Sequence, residues 1–377
     1  MAIARSFERP GGGKESYFYL EADRGLDFAG QLKSVIDRYA AAQADAGVDP
    51  TTAVFRRIFL SDTLNQASVV RESSLNNDFV ATAIVQQRPL RGSNISLLAY
   101  HVDDGEGLKR KRLSPRHLLI EKAGKRHLWS TRLCAADSDR TLNSEGQTST
   151  AFDDLIHALR GQGANLRDHC VRTWIYMKDV DIFYKGMVDR RRALFNEHGL
   201  TGDSHFIAST GIEGSGSHRY DVLVMDAYSL PDVEQRQISY LNDFDLICAT
   251  KDYNVTFERA TRVAYADRAH IFLSGTASID SSGEVVHRGD VARQLDRTLE
   301  NVEALLKAGK SSLADMTHLI VYLRDPADLA VIEPRLAERL PDTPIAIVQG
   351  AVCRPEWLIE VEGVAIAHND DTNLPRF

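Results

Sequence analysis

The chain has 377 residues, 43% hydrophobic and 26% charged, values ordinary for a globular protein and long enough for roughly two or three domains. This composition excludes a largely disordered chain, a collagen-like chain and a disulfide scaffold, and no apolar run approaches the roughly 18 residues that cross a bilayer. A formal net charge of −8 disfavours bulk binding to nucleic acid or anionic membranes, while a small anion held by a few local arginines remains open. The N-terminal stretch from Met1 has no apolar core of a signal peptide, and Cys134, Cys170, Cys248 and Cys353 form no CxxC pair. Both features point to a reducing cytoplasm.

Taken in chain order, residues 28–44 have helical spacing, Phe55 to Leu60 reads as a strand, and Asp62 precedes another helix. The middle third repeats the order: a helix over 152–159, a strand from Val171 to Met177, and a helix after Asp179. In the last third, Ala269 to Ile279 reads as a strand ending in small residues, and Gly283 marks a turn. Val291, Leu295, Leu299, Val302, Leu305 and Leu306 then form one apolar helical stripe, stopped at Gly309. A strand from Thr317 to Leu323 ends at Asp325, Pro326 opens a second helix, and strands follow over 345–348 and 357–367. Gly47, Gly163 and Gly309 each precede the matching aspartate by about 15 residues. Three matching registers predict a triplicated α+β unit of order ββαβαββ, with boundaries at 1–125, 126–245 and 246–377.

Several motifs lead nowhere. Gly309-Lys-Ser311 ends like a P-loop, but Ala304 stands where its first glycine belongs. Gly214-Ser-Gly216 is a turn signal without a dinucleotide fingerprint, and the histidines show no metal-ligand spacing, so neither metal nor cofactor is expected. Lys109-Arg-Lys-Arg112, with Arg116, Lys122, Lys125 and Arg126, is a basic run without the aromatic interleaving of a nucleic-acid platform; it reads as a solvated loop.

Ser274-Gly-Thr-Ala-Ser278, Leu299-Glu-Asn-Val-Glu303, Val321-Tyr-Leu-Arg-Asp325 and Leu358-Ile-Glu-Val-Glu362 resemble the Rid (YjgF-like, RidA) superfamily. Its members are trimers of a small α+β subunit with ligand clefts between neighbours. The resemblance therefore implies three tandem Rid-like (chorismate-mutase-like) modules, mixed sheets inside and helices outside, forming an intrachain pseudo-trimer. Rid deaminases grip the substrate carboxylate with an arginine on the strand before the final hairpin. That place falls near Ile345 or Ala346, where Pro344 to Gln349 has no arginine, and His205 to Thr210 lacks one too.

Further motifs resemble the chorismatase branch: Arg172-Thr-Trp-Ile-Tyr176, Tyr184 with Arg190, Ala208-Ser-Thr-Gly-Ile212, Phe257-Glu-Arg-Ala-Thr261 and Cys353-Arg354. Where chorismatases carry Tyr-Gly-Pro and further prolines, this chain has Tyr253-Asn-Val-Thr-Phe257. The implied activity is cofactor-free cleavage of chorismate, or a related anionic enol ether, by a lyase or hydrolase. Two alternatives stand beside it: a divergent imine or enamine deaminase, and a non-catalytic ligand- or RNA-binding Rid protein.

Glu360 and Glu362 are two apart on a strand and share one face, where two close carboxylates disfavour double ionisation. Without the resemblance they read as a solvated or salt-bridged pair; with it, Glu360 is the general acid. Arg172 and Arg259 are the best forks for a substrate carboxylate, with Arg190 and Arg354 behind them. Tyr176, Thr210, Ser274 and Thr276 are candidate hydrogen-bonding residues, and Gly275 would let a ligand approach the backbone. In the resemblance, Cys353 with Gly275 marks the hydroxybenzoate-forming type, whereas the diene-diol-forming type has alanines; this gives Cys353 a catalytic or product-steering role beside its plainer reading as a small buried hydrophobe. The expected partner is a small anionic substrate, with no membrane and no nucleic acid, in a monomeric pseudo-trimer or an oligomer of it.

Overall fold

A computed structural model describes residues 2–9, 12–103, 105, 107–137, 141–250 and 255–377. Tyr253 and Asn254 of the stretch singled out above lie outside the described residues. Three mixed sheets are built in succession along the chain. The first contains β1 (Ala2–Glu8), β2 (Lys14–Glu21), β3 (Ala53–Leu60), β4 (Ala81–Gln86) and β5 (Ile95–Asp103), in the order β1-β2-β5-β3-β4, with helices α1 (Phe28–Asp45) and α2 (Thr63–Arg71). The second contains β6 (Lys109–Ser114), β7 (His117–Lys122), β8 (Lys125–Leu133), β9 (Cys170–Met177), β10 (Ala208–Glu213) and β11 (Leu223–Ser229), in the order β10-β9-β11-β8-β7-β6. Its helices are α3 (Ser144–Arg160), the short α4 (Leu166–His169) and α5 (Val180–Glu197). The third contains β12 (Ile238–Leu241), β13 (Ala260–Ala264), β14 (Arg268–Ala277), β15 (Met316–Leu323), β16 (Ile345–Gln349) and β17 (Ile359–His368), in the order β12-β13-β14-β17-β15-β16, with α6 (Val291–Ala308) and α7 (Leu329–Arg339).

One rule generates all three. The last strand (β5, β11, β17) inserts antiparallel between a hairpin strand and the central strand (β3, β9, β15). A helix then carries the chain across to a parallel neighbour (β4, β10, β16), as a parallel pair requires. The apolar stripe of α6 is buried throughout. Asp62 caps α2 through its side chain, whereas Asp179 sits at φ +55° before α5 and makes no such bond. At Gly309 the demand is space: a Cβ there would lie 2.8 Å from Ile271 Cδ1 and Leu241 Cδ1.

The expected boundaries need correction. β6 and β7 pair within the second sheet and β12 within the third, so sheet membership changes between Asp103 and Lys109 and between Ser229 and Ile238. The basic run is therefore a strand rather than a loop. Its like charges hid it because they are used sideways: Arg110 donates to the Thr51 and Ala53 carbonyls, and Arg112 to those of Asn77 and Val80, tying the second sheet to the first module.

The sheets face one another and the helices lie outside, forming an intrachain pseudo-trimer. The inner core joins all three sheets through Phe55, Trp129, Trp174, Tyr228, Phe272 and Tyr322. Separate outer clusters fill the space between sheet and helices in the first and second modules. Short bridges stitch every junction: Gln86 to Ser215, Pro89 to Val348, and Ala208 to Glu258. Among the described residues, no helix is long and apolar enough to cross a membrane.

Candidate active site

A cavity of about 140 Å³ opens where the second and third modules meet. Strand alternation on β17 turns Glu360 and Glu362 to the same face, opposite Tyr322 and Ile320 of β15. Both are buried, at 5% and 1% exposure, but their surroundings differ. Glu362 is held by Arg172, by the Thr210 hydroxyl, by the Tyr322 hydroxyl at 2.7 Å and by Arg57 Nη1 at 3.4 Å. The Glu360 side chain lines the cavity, and its carboxyl makes no hydrogen bond or ion pair among the described residues. Burial, and then the charge of Glu362, push its carboxyl up to about 8 against the opposing pull of Arg172 and Arg259.

Room for that carboxyl comes from a break in the β14–β17 register between Leu273 and Thr276. A Cβ on Gly275 would sit 2.1 Å from Glu360 Oε1 and 2.8 Å from its carboxyl carbon. Gly275→Ala is therefore expected to displace the Glu360 carboxyl from its place on the cavity wall and to shift its titration midpoint while the fold persists. Carboxyl carbon NMR and thermal melting check it together.

Three guanidinium groups, from Arg191, Arg259 and Arg354, line the same cavity. Arg191 Nε donates to Thr256 Oγ1 at 3.1 Å, and Arg259 Nη2 to the Cys248 carbonyl at 3.1 Å. Arg354 lies over the Trp357 ring at 4.7 Å and donates to the Gly283 carbonyl at 2.9 Å. Cys353 stands beside Tyr184, and burial together with the nearby Glu360 charge pushes its thiol up to about 12. At neutral pH it is a neutral thiol, not a thiolate nucleophile.

Of the residues singled out from the sequence, Glu360, Cys353, Arg259, Gly275 and Arg354 meet at the cavity. Arg172, Tyr176, Thr210, Ser274 and Thr276 do not line it. Arg172 and Thr210 are engaged with Glu362, and Tyr176 is buried in the inner core. The Ser274 hydroxyl donates to the Glu258 carbonyl and accepts from the Ser209 amide; Thr276 donates to the Ser274 carbonyl. Arg190 points outward to Ser149 and Glu197.

Its neighbour Arg191 was missed, as were Tyr184, Ser209 and Gly211 as cavity residues. The signal for Arg191 was present: it falls on the buried stripe Met187, Val188, Arg191, Leu194 and Phe195 of α5, an unusual place for a lone charge.

The Glu360 carboxyl is not triplicated. Glu360 lies opposite Tyr322; the corresponding partners are Val224 opposite Tyr176 and Ser96 opposite Phe59. The junction of modules one and three is filled instead by Arg91, which bridges Glu21 at 3.1 Å and Glu333.

The family described as Endoribonuclease L-PSP matches residues 258–367. The 3-aminoacrylate deaminase RutC of Acinetobacter baylyi is 36% identical over 97 residues, 25% of this chain and 77% of that protein. A chorismatase of Streptomyces rapamycinicus is 37% identical over 120 residues, and a 3-hydroxybenzoate synthase of Streptomyces hygroscopicus 32% over 124. In both cases the match spans 29% of this chain and only 36% of the relative. A crystal structure of a chorismatase superposes over 97% of this chain and 98% of its own with a TM-score of 0.64 at 17% identity, a likeness of fold.

Proposed function

Since the chain belongs to the Rid superfamily, close to its chorismatase branch, we propose that it is a cofactor-free enzyme cleaving chorismate, or a related small anionic enol ether, to pyruvate and a hydroxybenzoate-type product. The observation that carries this reading is the buried Glu360 carboxyl, without a hydrogen-bond partner among the described residues, in a cavity lined by three guanidinium groups. An acid poised near 8 holds its proton at neutral pH and can deliver it to the terminal carbon of an enolpyruvyl ether. The ring C–O bond of the resulting oxocarbenium ion breaks with loss of pyruvate, and Glu360, now a carboxylate, is stabilised by Arg259, with Arg172 behind the cavity. When the ring aromatises, the proton it loses returns to Glu360, so the overall cleavage consumes no net water. Arg191, Arg259 and Arg354 hold the substrate carboxylates, while Cys353 and Gly275 shape the space that selects the product.

A chorismate assay that follows pyruvate and separates the aromatic products tests the reading. Equal amounts of pyruvate and hydroxybenzoate are expected; no pyruvate between pH 5 and 8 would sink it. Arg259→Met is expected to raise KM roughly 10- to 100-fold, the worth of one charge-assisted hydrogen bond, as checked by steady-state kinetics. The rival hydrolysis of an imine or enamine draws on the match to RutC and predicts ammonia as the released product.

A further inference from the structure

Glu362 has no part in the chemistry just described, yet residues from all three modules converge on its carboxylate. Arg57 comes from β3, Arg172 and Thr210 from β9 and β10, and Tyr322 from β15. The other charged or titratable groups facing this space are Asp226 of β11, 3.9 Å from Arg57, with Tyr176 of β9 and His318 of β15. Burial and the two arginines push the His318 imidazole down to about 3, so it adds no charge at neutral pH. Glu360 faces Arg191 of α5, Arg259 just before β13, Arg354 and the neutral Tyr184 and Cys353, and it also feels the charge of Arg172 of β9.

Two residues apart on one strand face, the carboxyl groups are separated by roughly 7 Å of backbone. Like charges at that range in a buried site repel strongly. Two guanidinium groups reduce the field of Glu362 without removing it. Arg57 is the looser of the two: its Nε and Nη2 are buried without hydrogen-bond partners, and its contact with Glu362 is long, at 3.4 Å.

We propose that Glu362 is a positioning residue for the general acid, keeping Glu360 loaded with its proton, and that Arg57 of the first module sets how strongly it does so. The inference rests on the reading of Glu360 as the acid. The first module has no carboxyl at the equivalent place, but through Arg57 it governs the one in the third.

The test titrates Glu360 directly, by carboxyl carbon NMR of the full chain, with Glu360→Gln assigning the signal. In Glu362→Gln the midpoint is expected to fall by about one pH unit or more. In Arg57→Met it is expected to rise, and that variant keeps Arg172, Thr210 and Tyr322 on Glu362, so it remains informative even where Glu362→Gln does not fold. The descending limb of the pH–kcat profile moves with each midpoint. A purely structural role would not shift the two variants in opposite directions. Midpoints that stay put, or that move the same way in both folded variants, overturn the proposal. The titration needs no substrate, so a protein that titrates as stated but releases no pyruvate overturns the chorismate reading alone.

Discussion

Glu360→Gln is expected to lower pyruvate release from chorismate by about 10²- to 10⁴-fold with little change in KM, because it removes a transferable proton and leaves shape and hydrogen-bonding capacity almost intact. Stopped or continuous pyruvate assays check it, and a variant that keeps near wild-type kcat would remove Glu360 from the chemistry. The wild-type rate is expected to decline as pH rises through about 8, where the acid loses its proton. The same group has a consequence for stability. Its folded-state value lies above its ordinary one of 4.5, so the folded chain binds the proton more tightly than the unfolded chain. Stability then falls between about 4.5 and 8 as pH rises, and above that range the protein carries an unfavourable buried charge. Glu360→Gln should therefore be close to neutral for stability at pH 5 and stabilising at pH 9, by on the order of 3 kcal/mol. Denaturant unfolding at the two pH values reads this difference without any substrate.

Arg172→Met is expected to destabilise the fold by about 3–5 kcal/mol, because it removes the closest charged partner of a fully buried carboxylate. The sequence alone suggested a substrate-binding arginine, for which the first symptom of loss would be a raised KM. With Arg172 placed behind the cavity, the first symptom is a lower unfolding midpoint, with KM for the folded fraction changed much less. Arg190→Met is the control: its partner Glu197 is exposed, and the change should lie within about 0.5 kcal/mol. A large KM effect in Arg172→Met without loss of stability would contradict the placement seen here.

Periodicity was enough for the elements with a clear apolar rhythm. The helix read over 28–44 is α1, Phe28–Asp45; the stripe from Val291 to Leu306 is α6; the strands at Phe55, Val171 and Thr317 are the central strands of the three sheets. Each of these buries one face against a neighbour, and burial writes itself into the spacing of apolar residues. The hairpin around β6 and β7 left no such trace, because its arginines find their partners in carbonyl groups of another module. The α7 helix begins at Leu329, after a short turn from Pro326 to Asp328, a detail of local capping rather than of pattern.

The site divides along the same line. By itself the sequence determined the triplicated module, the family motifs, and the pair Glu360 and Glu362 on one strand face, since all of these follow from order and spacing along the chain. Only the tertiary structure decided that one glutamate of the pair is surrounded by cations and hydroxyls while the other is left to a cavity. It also decided that Arg172 engages the first, while Arg191 and Arg259 line the cavity that the second faces. Those assignments depend on which side chains arrive from other modules, Arg57 from β3 and Thr210 from β10 among them, and contacts separated by up to 305 positions leave no periodic mark in a single sequence.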